Sequence, residues 1–333
     1  MKSIKAMVVV EAASGPVIRQ RDIDAPVRDI GQLLIEVRAA SVNRADLAVL
    51  AGTHVSAGAS TGPTVVGLDC AGVVLEADTD SGFAPGDRVM TMVGGGLAEQ
   101  VVVDARMPIR LPDAWSFEMG AGAVLALMTG HNALHTAGRL AAGESVLVNA
   151  ARSAVGQATI QIACELGAGR VLAAARSLRD ETFLKGLGAD AVVATGPGGF
   201  AEAVLAVTDG QGVDVIVDHV GGPYLGDHVA AAALKGRIVG VGRLGGAEGA
   251  LDMETLAVKR LDIVGVTFRT RDAGEKAAIA AGVRADLAGA LDEGRLTPRI
   301  DRVLPWTEVL DAQDIVAADA HLGKIVLTVS AGA

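Results

Sequence analysis

Aromatic residues are scarce: five Phe, two Trp and one Tyr make up 2% of the 333 residues. The core must therefore be built from Val, Ile, Leu and Ala, and little surface remains for stacking a large planar ligand. Cysteine is nearly as rare. Cys70 and Cys164 lie far apart, which excludes a disulfide framework, a Cys-x-x-Cys pair and a four-cysteine zinc site. Both thiols are expected in the core of a protein from a reducing compartment. Basic runs are absent as well. With 29 Lys and Arg against 39 Asp and Glu, the formal charge is −10, so no positive stripe is present to displace phosphate counterions and a nucleic-acid partner is excluded. No apolar run is long. The N-terminal one, Ala6–Val10, has five residues before Glu11, and Gly120–Leu127 is cut off by Thr129, His131 and Asn132. Neither a signal-peptide core nor a membrane span is expected, which implies a soluble, cytoplasmic chain.

What is present is a folded composition, half hydrophobic and 20% charged, with 43 glycines, and a length that favours two domains. To about Arg110 the pattern is short strands broken by Gly and Pro: Gln32–Ser41, Thr64–Glu76 and Asp87–Val93. That pattern predicts a small barrel or folded sheet. Near Ser116 it changes. A helical stretch to about Ala137 leads into alternating strands (146–150, 170–175, 191–194, 213–218, 237–241, 262–268) and helices (155–166, 178–187, 201–207, 225–234). Such alternation predicts a parallel α/β sheet covered by helices on both faces. A long Ala-rich helix from Asp272 to about Glu293, a further helix and a strand at Lys324 follow.

The first strand of the alternating region ends in Asn149-Ala-Ala-Arg-Ser-Ala-Val-Gly156, directly before a helix. Here a dinucleotide-binding fold sets backbone N–H groups and a helix N-terminus against a pyrophosphate. Ala151 and Ser153 take the first two glycine positions of G-x-G-x-x-G, and Gly156 keeps the third. Residues 151–156 (Ala151, Arg152, Ser153, Ala154, Val155, Gly156) are thus candidate cofactor contacts, although small residues there also serve simple helix–strand packing. About twenty residues on, the chain reads Arg176-Ser-Leu-Arg179 rather than an acid. Arg176, Ser177 and Arg179 suit the 2′-phosphate of NADPH better than the free ribose of NADH. Asp180 beside them counts against a phosphate site.

Eight blocks come in the order of the quinone oxidoreductases of the medium-chain dehydrogenase/reductase superfamily. They are Ser41-Val-Asn-Arg-Ala-Asp-Leu47, Gly67-Leu-Asp-Cys-Ala-Gly-Val-Val74, Gly86-Asp-Arg-Val89, Gly94-Gly-Gly-Leu-Ala-Glu99, Gly188-Ala-Asp190, Gly212–Gly222, Gly236–Gly242 and His321-Leu-Gly-Lys-Ile-Val-Leu327. Over nearly its whole length the chain resembles that family, most closely its zeta-crystallin-like branch. The resemblance implies a GroES-like β-rich catalytic domain (1–123 and 267–333) interrupted by a Rossmann doubly wound domain (124–266), an active site between them, and a homodimer. It places Asn43 and Asp46 beside the nicotinamide and substrate. It adds Thr129, Val220, Gly242, Arg269 and Lys324 as cofactor contacts. Asp46 could equally cap a helix, and for Lys324 exposure to solvent is the stronger alternative.

Zinc-dependent relatives hold the metal with a Cys, a His-Glu pair and a further Cys or His. Asn43 and Leu68-Asp69 stand at the first of these places, and no third ligand joins His131 and His135, so no zinc is expected. Without a metal, hydride delivery to an already electron-poor acceptor is the natural chemistry, and a quinone or α,β-unsaturated carbonyl qualifies. There are departures from the family pattern. Arg152 is larger than the usual turn residue, Asp180 and Thr195 replace a Lys and a Tyr of the 2′-phosphate site, and His131 replaces a Tyr. His131 is a proton-donor candidate, with a structural role the stronger alternative. The expectation is an NADPH-dependent reductase of small quinones or enones. A biosynthetic enoyl or ketone reductase and a non-catalytic binding descendant are the alternatives.

Overall fold

A computed structural model describes residues 2–13, 15–50, 63–196 and 199–329. In chain order the elements are β1 (Ser3–Ala12), β2 (Gly15–Asp24), β3 (Gln32–Val42), α1 (Arg44–Leu50), β4 (Asp69–Glu76), β5 (Arg88–Met92), β6 (Gln100–Asp104), β7 (Ile109–Arg110) and α2 (Phe117–His131). Next come β8 (Ser145–Asn149), α3 (Ala154–Glu165), β9 (Arg170–Ala175), α4 (Glu181–Gly186), β10 (Ala191–Ala194), α5 (Ala201–Val207), β11 (Val213–Asp218), α6 (Leu225–Ala231) and β12 (Ala232–Gly240). The remainder is α7 (Met253–Lys259), β13 (Asp262–Gly265), α8 (Ala273–Asp292), β14 (Ile300–Pro305), α9 (Val309–Ala317) and β15 (Lys324–Thr328). The chain divides into two compact units, one of residues 1–125, 268–292 and 297–333, the other of 126–267 and 293–296.

The first unit is a mostly antiparallel sheet in the order β14-β15-β3-β4-β5-β7, with β6 pairing β3 and a β1–β2 hairpin beside it. Its central strands are largely buried: Leu33, Ile35, Val37 and Ala39 line one face of β3, and Leu34, Ala40 and Val42 on the other are buried too. Three neighbours in this sheet (β15, β3 and β4) bring Lys324, residues 41–43 and Asp69 to one end. The Gly94-Gly-Gly motif serves the same end: a Cβ on Gly96 would lie 2.2 Å from the Asp69 carbonyl oxygen. Only glycine lets that loop close over the start of β4.

The second unit is a six-stranded parallel sheet in the order β10-β9-β8-β11-β12-β13. Counted from β8 this is 3-2-1-4-5-6, the doubly wound order of dinucleotide-binding folds. Its central strands carry Val146–Val148, Leu172–Ala174 and Val215–Val217, all fully buried, because helices cover both faces. Phe200, Val204, Val229 and Ile238 complete this core.

Several expectations are corrected. The helix read over 225–234 stops at Ala231, and Ala232–Leu234 already belong to β12. The strand read from Thr64 begins at Asp69, and the one read over 262–268 ends at Gly265. The stretch 178–187 is a 3-10 turn followed by a short helix, and the helical segment to Ala137 ends in a π-helical turn from Asn132. Cys164 is exposed on α3, whereas Cys70 is buried as expected. Among the described residues no helix is long and apolar enough to cross a membrane.

Candidate active site

In the first unit the site is a buried polar cluster. Asp69, fully buried at the start of β4, accepts the Ser41 N–H at 2.7 Å and the Ser41 hydroxyl at 2.6 Å. It also accepts the Asn43 amide Nδ2 at 2.8 Å. Lys324, only 4% exposed, donates from Nζ to Ser41 Oγ at 2.7 Å and to Asn43 Oδ1, and pairs with Asp69 Oδ2 at 3.7 Å. The two charges fix the Asn43 side chain. Turned over, its amide would set NH2 against ammonium and oxygen against carboxylate.

Asp46, 3% exposed, sits in the first turn of α1 and accepts the Asn43 N–H on Oδ2 at 2.7 Å. It is therefore a cap for α1, closing back on the residue that starts the helix. Its other oxygen, Oδ1, is buried without a hydrogen-bond partner. Burial, and then the Asp69 carboxylate, push the Asp46 carboxyl up to about 7, against the pull of Asn43 and Lys324. Burial lowers the Lys324 ammonium, with Asp69 and Asp46 holding it back up. Burial also raises the adjacent Cys70 thiol well above its usual range, so it is no nucleophile. Arg269 lies in this unit too, exposed and outside the cluster.

In the second unit the candidate residues gather at the carboxyl ends of the strands. Asn149 ends β8 and Ala150 takes a left-handed φ of 52°, with its N–H on Asn149 Oδ1. Ser153 caps α3, its hydroxyl accepting the Gly156 N–H at 3.0 Å. That leaves the Ala154 and Val155 N–H groups as first-turn donors without a protein acceptor among the described residues. A Cβ on Gly156 would lie 2.5 Å from the Ala150 carbonyl oxygen, so this glycine serves the close approach of helix and turn. Ala151 is fully buried beneath it.

Arg152 forms an ion pair with Asp180, and Arg179 pairs with the same carboxylate at 3.2 Å. Two departures noted in the sequence are thus partners of each other. Asp180 joins the turn after β8 to the turn after β9, where Arg176 and Ser177 also lie.

At the switch between β8 and β11 the structure adds residues that sequence reasoning missed. Asn149 Nδ2 reaches Asp218 Oδ1 at 3.3 Å and His228 Nε2 at 3.2 Å. Asp218 in turn accepts the Val220 and Gly221 N–H groups at 2.8 and 3.0 Å, fixing the loop that carries Val220. Gly242 packs on the same loop: its N–H meets the Asp218 carbonyl, and a Cβ there would strike the His219 carbonyl oxygen at 2.3 Å. Both histidines are buried. Burial lowers His219 to about 4 and depresses His228 against the pull of Asp218, so both are neutral. Thr129 is buried near the end of α2. His131, 1% exposed, stacks on His135 with ring centroids 4.9 Å apart.

Comparison with known proteins decides the family. Residues 154–281 match the model described as zinc-binding dehydrogenase, and residues 29–113 the alcohol dehydrogenase GroES-like domain. A solved structure of an NAD-dependent alcohol dehydrogenase is 30% identical, with a TM-score of 0.83 over 98% of this chain and 100% of that one. The chain belongs to the medium-chain dehydrogenase/reductase superfamily. Rat (Rattus norvegicus) quinone oxidoreductase is 29% identical over 331 residues, 98% of each chain, which supports the quinone oxidoreductase branch. Erythronolide synthase EryA2 of Saccharopolyspora erythraea is 35% identical over 225 residues. That match takes in 67% of this chain but 6% of the synthase, so the chain spans a small part of such relatives. The antiparallel unit carries the GroES-like match and the parallel sheet is of the Rossmann type, which is the fold of this superfamily of NAD(P)H-dependent oxidoreductases.

Proposed function

We propose that the protein is an NADPH-dependent, zinc-independent reductase that passes hydride to a small quinone or an α,β-unsaturated carbonyl. The observation that carries this reading is the ammonium-centred cluster. The places matching zinc ligands in metal-dependent relatives hold Asn43, Leu68 and Asp69. Asn43 and Asp69 are already committed to Ser41 and to the Lys324 ammonium. A buried cation beside Asp69 repels a second one, and no cysteine or histidine belongs to the set, so the donors do not fit a zinc ion. They fit an acceptor that needs only hydrogen-bond donors for its oxyanion.

The second unit fits a bound dinucleotide. The Ala154 and Val155 N–H groups and the α3 N-terminus would meet the pyrophosphate. Arg152, Arg176 and Arg179 exceed the single charge of Asp180, which favours the 2′-phosphate of NADPH. Bound NADPH supplies the hydride, while this chain binds, orients and keeps water from the acceptor. The likeness to a polyketide synthase favours a second reading, reduction of the C=C bond of an enoyl substrate. We also place the protein as a homodimer joined through β13, the terminal strand of the parallel sheet, where Ile263 is exposed.

Titration of the purified chain with NADPH and NADH, followed by fluorescence, tests this, with the bound form then offered a small quinone, an enone and an enoyl thioester. NADPH is expected to bind at least tenfold more tightly than NADH and to be oxidised by the quinone or enone. Exclusive use of the thioester selects the second reading, and tighter binding of NADH overturns the NADPH assignment.

A further inference from the structure

A cavity of about 930 Å³ opens in the first unit, at the end of the sheet away from the Asp69–Lys324 cluster. β3 runs from Gln32 on the cavity wall to Val42 beside the cluster, roughly 30 Å along the strand. The cavity is therefore no part of the site described above. Its wall is completed by the end of β6, by β7, by the loop after β4 and by the last turns of α8. Ile109 and Leu291, 4% and 2% exposed, give it an apolar side together with the Phe83 ring. Ligand sites commonly enclose about 300–1,000 Å³ and set a few fixed polar groups in such walls.

Three arginines line this cavity, and two of them are already committed. Arg106 closes its Nε–Nη2 edge on the two oxygens of Asp104, at 2.9 and 2.6 Å. Arg110 pairs with Asp87 at 2.9 Å and lies 5.0 Å over the Phe83 ring. Arg284, half-buried on α8, engages only Nη1, which donates to the Arg106 and Pro108 carbonyl oxygens at 2.9 Å each. Among the described residues no carboxylate pairs with Arg284, and its Nε and Nη2 meet no protein acceptor. Burial pulls this guanidinium down from its ordinary value, with no acid beside it to hold it up. The Nη1 bonds alone tie α8 to the loop before β7. The open edge is the pair of parallel donors that Arg106 gives to Asp104, and its geometry matches one carboxylate.

We propose that this cavity is a second binding site, for a small organic acid, with one carboxylate on the Nε–Nη2 edge of Arg284 and an apolar body against Ile109, Leu291 and Phe83. The acids of the wall narrow the class further. Asp78 is taken up by the Gly31 N–H and by Arg28, at 2.7 Å each, whereas Asp80 and Asp292 are exposed. Those two carboxylates repel the additional charge of a phosphate or a nucleotide, so a monocarboxylate is favoured. Ile30, 94% exposed on the loop before β3, also lines the cavity, and an apolar body there takes its side chain out of water. The site touches neither the Asp69–Lys324 cluster nor the turn after β8, so its occupancy does not depend on the reductase reading.

Benzoate, phenylacetate and hexanoate, each beside its neutral amide, are titrated calorimetrically into the full chain, with and without saturating NADPH. At least one acid is expected to bind about tenfold or more tightly than its amide, the scale of one charged hydrogen bond, and to bind equally well with NADPH present. Arg284→Met should remove that preference for the acid. Ala288→Phe fills the cavity from the exposed side of α8 and leaves the Nη1 bonds in place. It should abolish binding of acid and amide alike, which keeps the proposal testable if Arg284→Met fails to fold. Binding of no acid, or of acids no more tightly than their amides, overturns the proposal. So does unchanged affinity in Ala288→Phe. Displacement of the acid by NADPH overturns it as well, because the acid would then occupy the nucleotide site.

Discussion

Asp46 does two things that pull its protonation in opposite directions. As a cap it accepts the Asn43 N–H, which favours the carboxylate; as a buried group beside Asp69 it favours the neutral acid, and the second effect wins. Its pKa is raised from 3.8 to about 7, so the folded chain holds this proton more tightly than the unfolded one. The stabilisation is fully present below pH 3.8 and is lost as pH rises through about 7. At roughly 1.4 kcal/mol per pKa unit the loss is at most about 4 kcal/mol. Asp46→Asn keeps the acceptor for Asn43 but cannot ionise. Denaturant melts of this variant should therefore show a flatter stability profile between pH 4 and 8 than the unaltered chain, with the gap widest at pH 8. Asn43 and Asp46 were legible because they fall in one short block. Lys324 and Ser41 are 283 residues apart, and no local pattern ties them. In the sequence Asp69 is one residue of the Gly67–Val74 block and of a missing His-Glu pair, and its hold on Ser41 and Asn43 is visible only with β3, β4 and β15 side by side.

The parallel sheet was the most legible element group. Strands such as Ser145–Asn149 carry a continuous apolar run, Val146-Leu-Val148, bounded by turn residues, so pattern alone places them. The misread boundary at Ala232 has a local cause. Ala230–Leu234 is an apolar run that suits helix and strand alike, and the register shift between β11 and β12 at Val213 to Val215 leaves no trace in residue type. The turn between β8 and α3 shows what survives when a glycine motif decays. Ala151 and Ser153 fit without glycine, because one is buried flat beneath the helix and the other has become its cap. Gly156 has no such freedom. Gly156→Ala would drive a Cβ into the Ala150 and Ala151 backbone at 2.5 to 2.8 Å, which cannot rotate away as a side chain could. The expected cost is about 1–3 kcal/mol, read as a lower melting temperature, with weakened nucleotide binding because the donors at Ala154 and Val155 move with the helix.

At the scale of the whole molecule, the parallel sheet ends on one side in β13, which is four residues long and carries the exposed Ile263. If two copies join there, Ile263→Glu sets like charges against each other across the junction. Sizing chromatography should then show a monomer where the unaltered chain runs as a dimer, with the melting profile of the separate units unchanged. The interrupted catalytic unit also has a history in time. Translation at about 5–20 residues per second puts roughly 14 to 57 s between the emergence of Ser41 and of Lys324. In that interval β3 waits with residues 39–42 unpaired on the side that β15 will take, and Asp69 waits without its cation. Meanwhile all but four residues of the second unit, the contiguous stretch 126–267, can complete itself first. The nascent chain thus carries an open strand edge over those 283 residues, and β15 both closes that edge and delivers the charge.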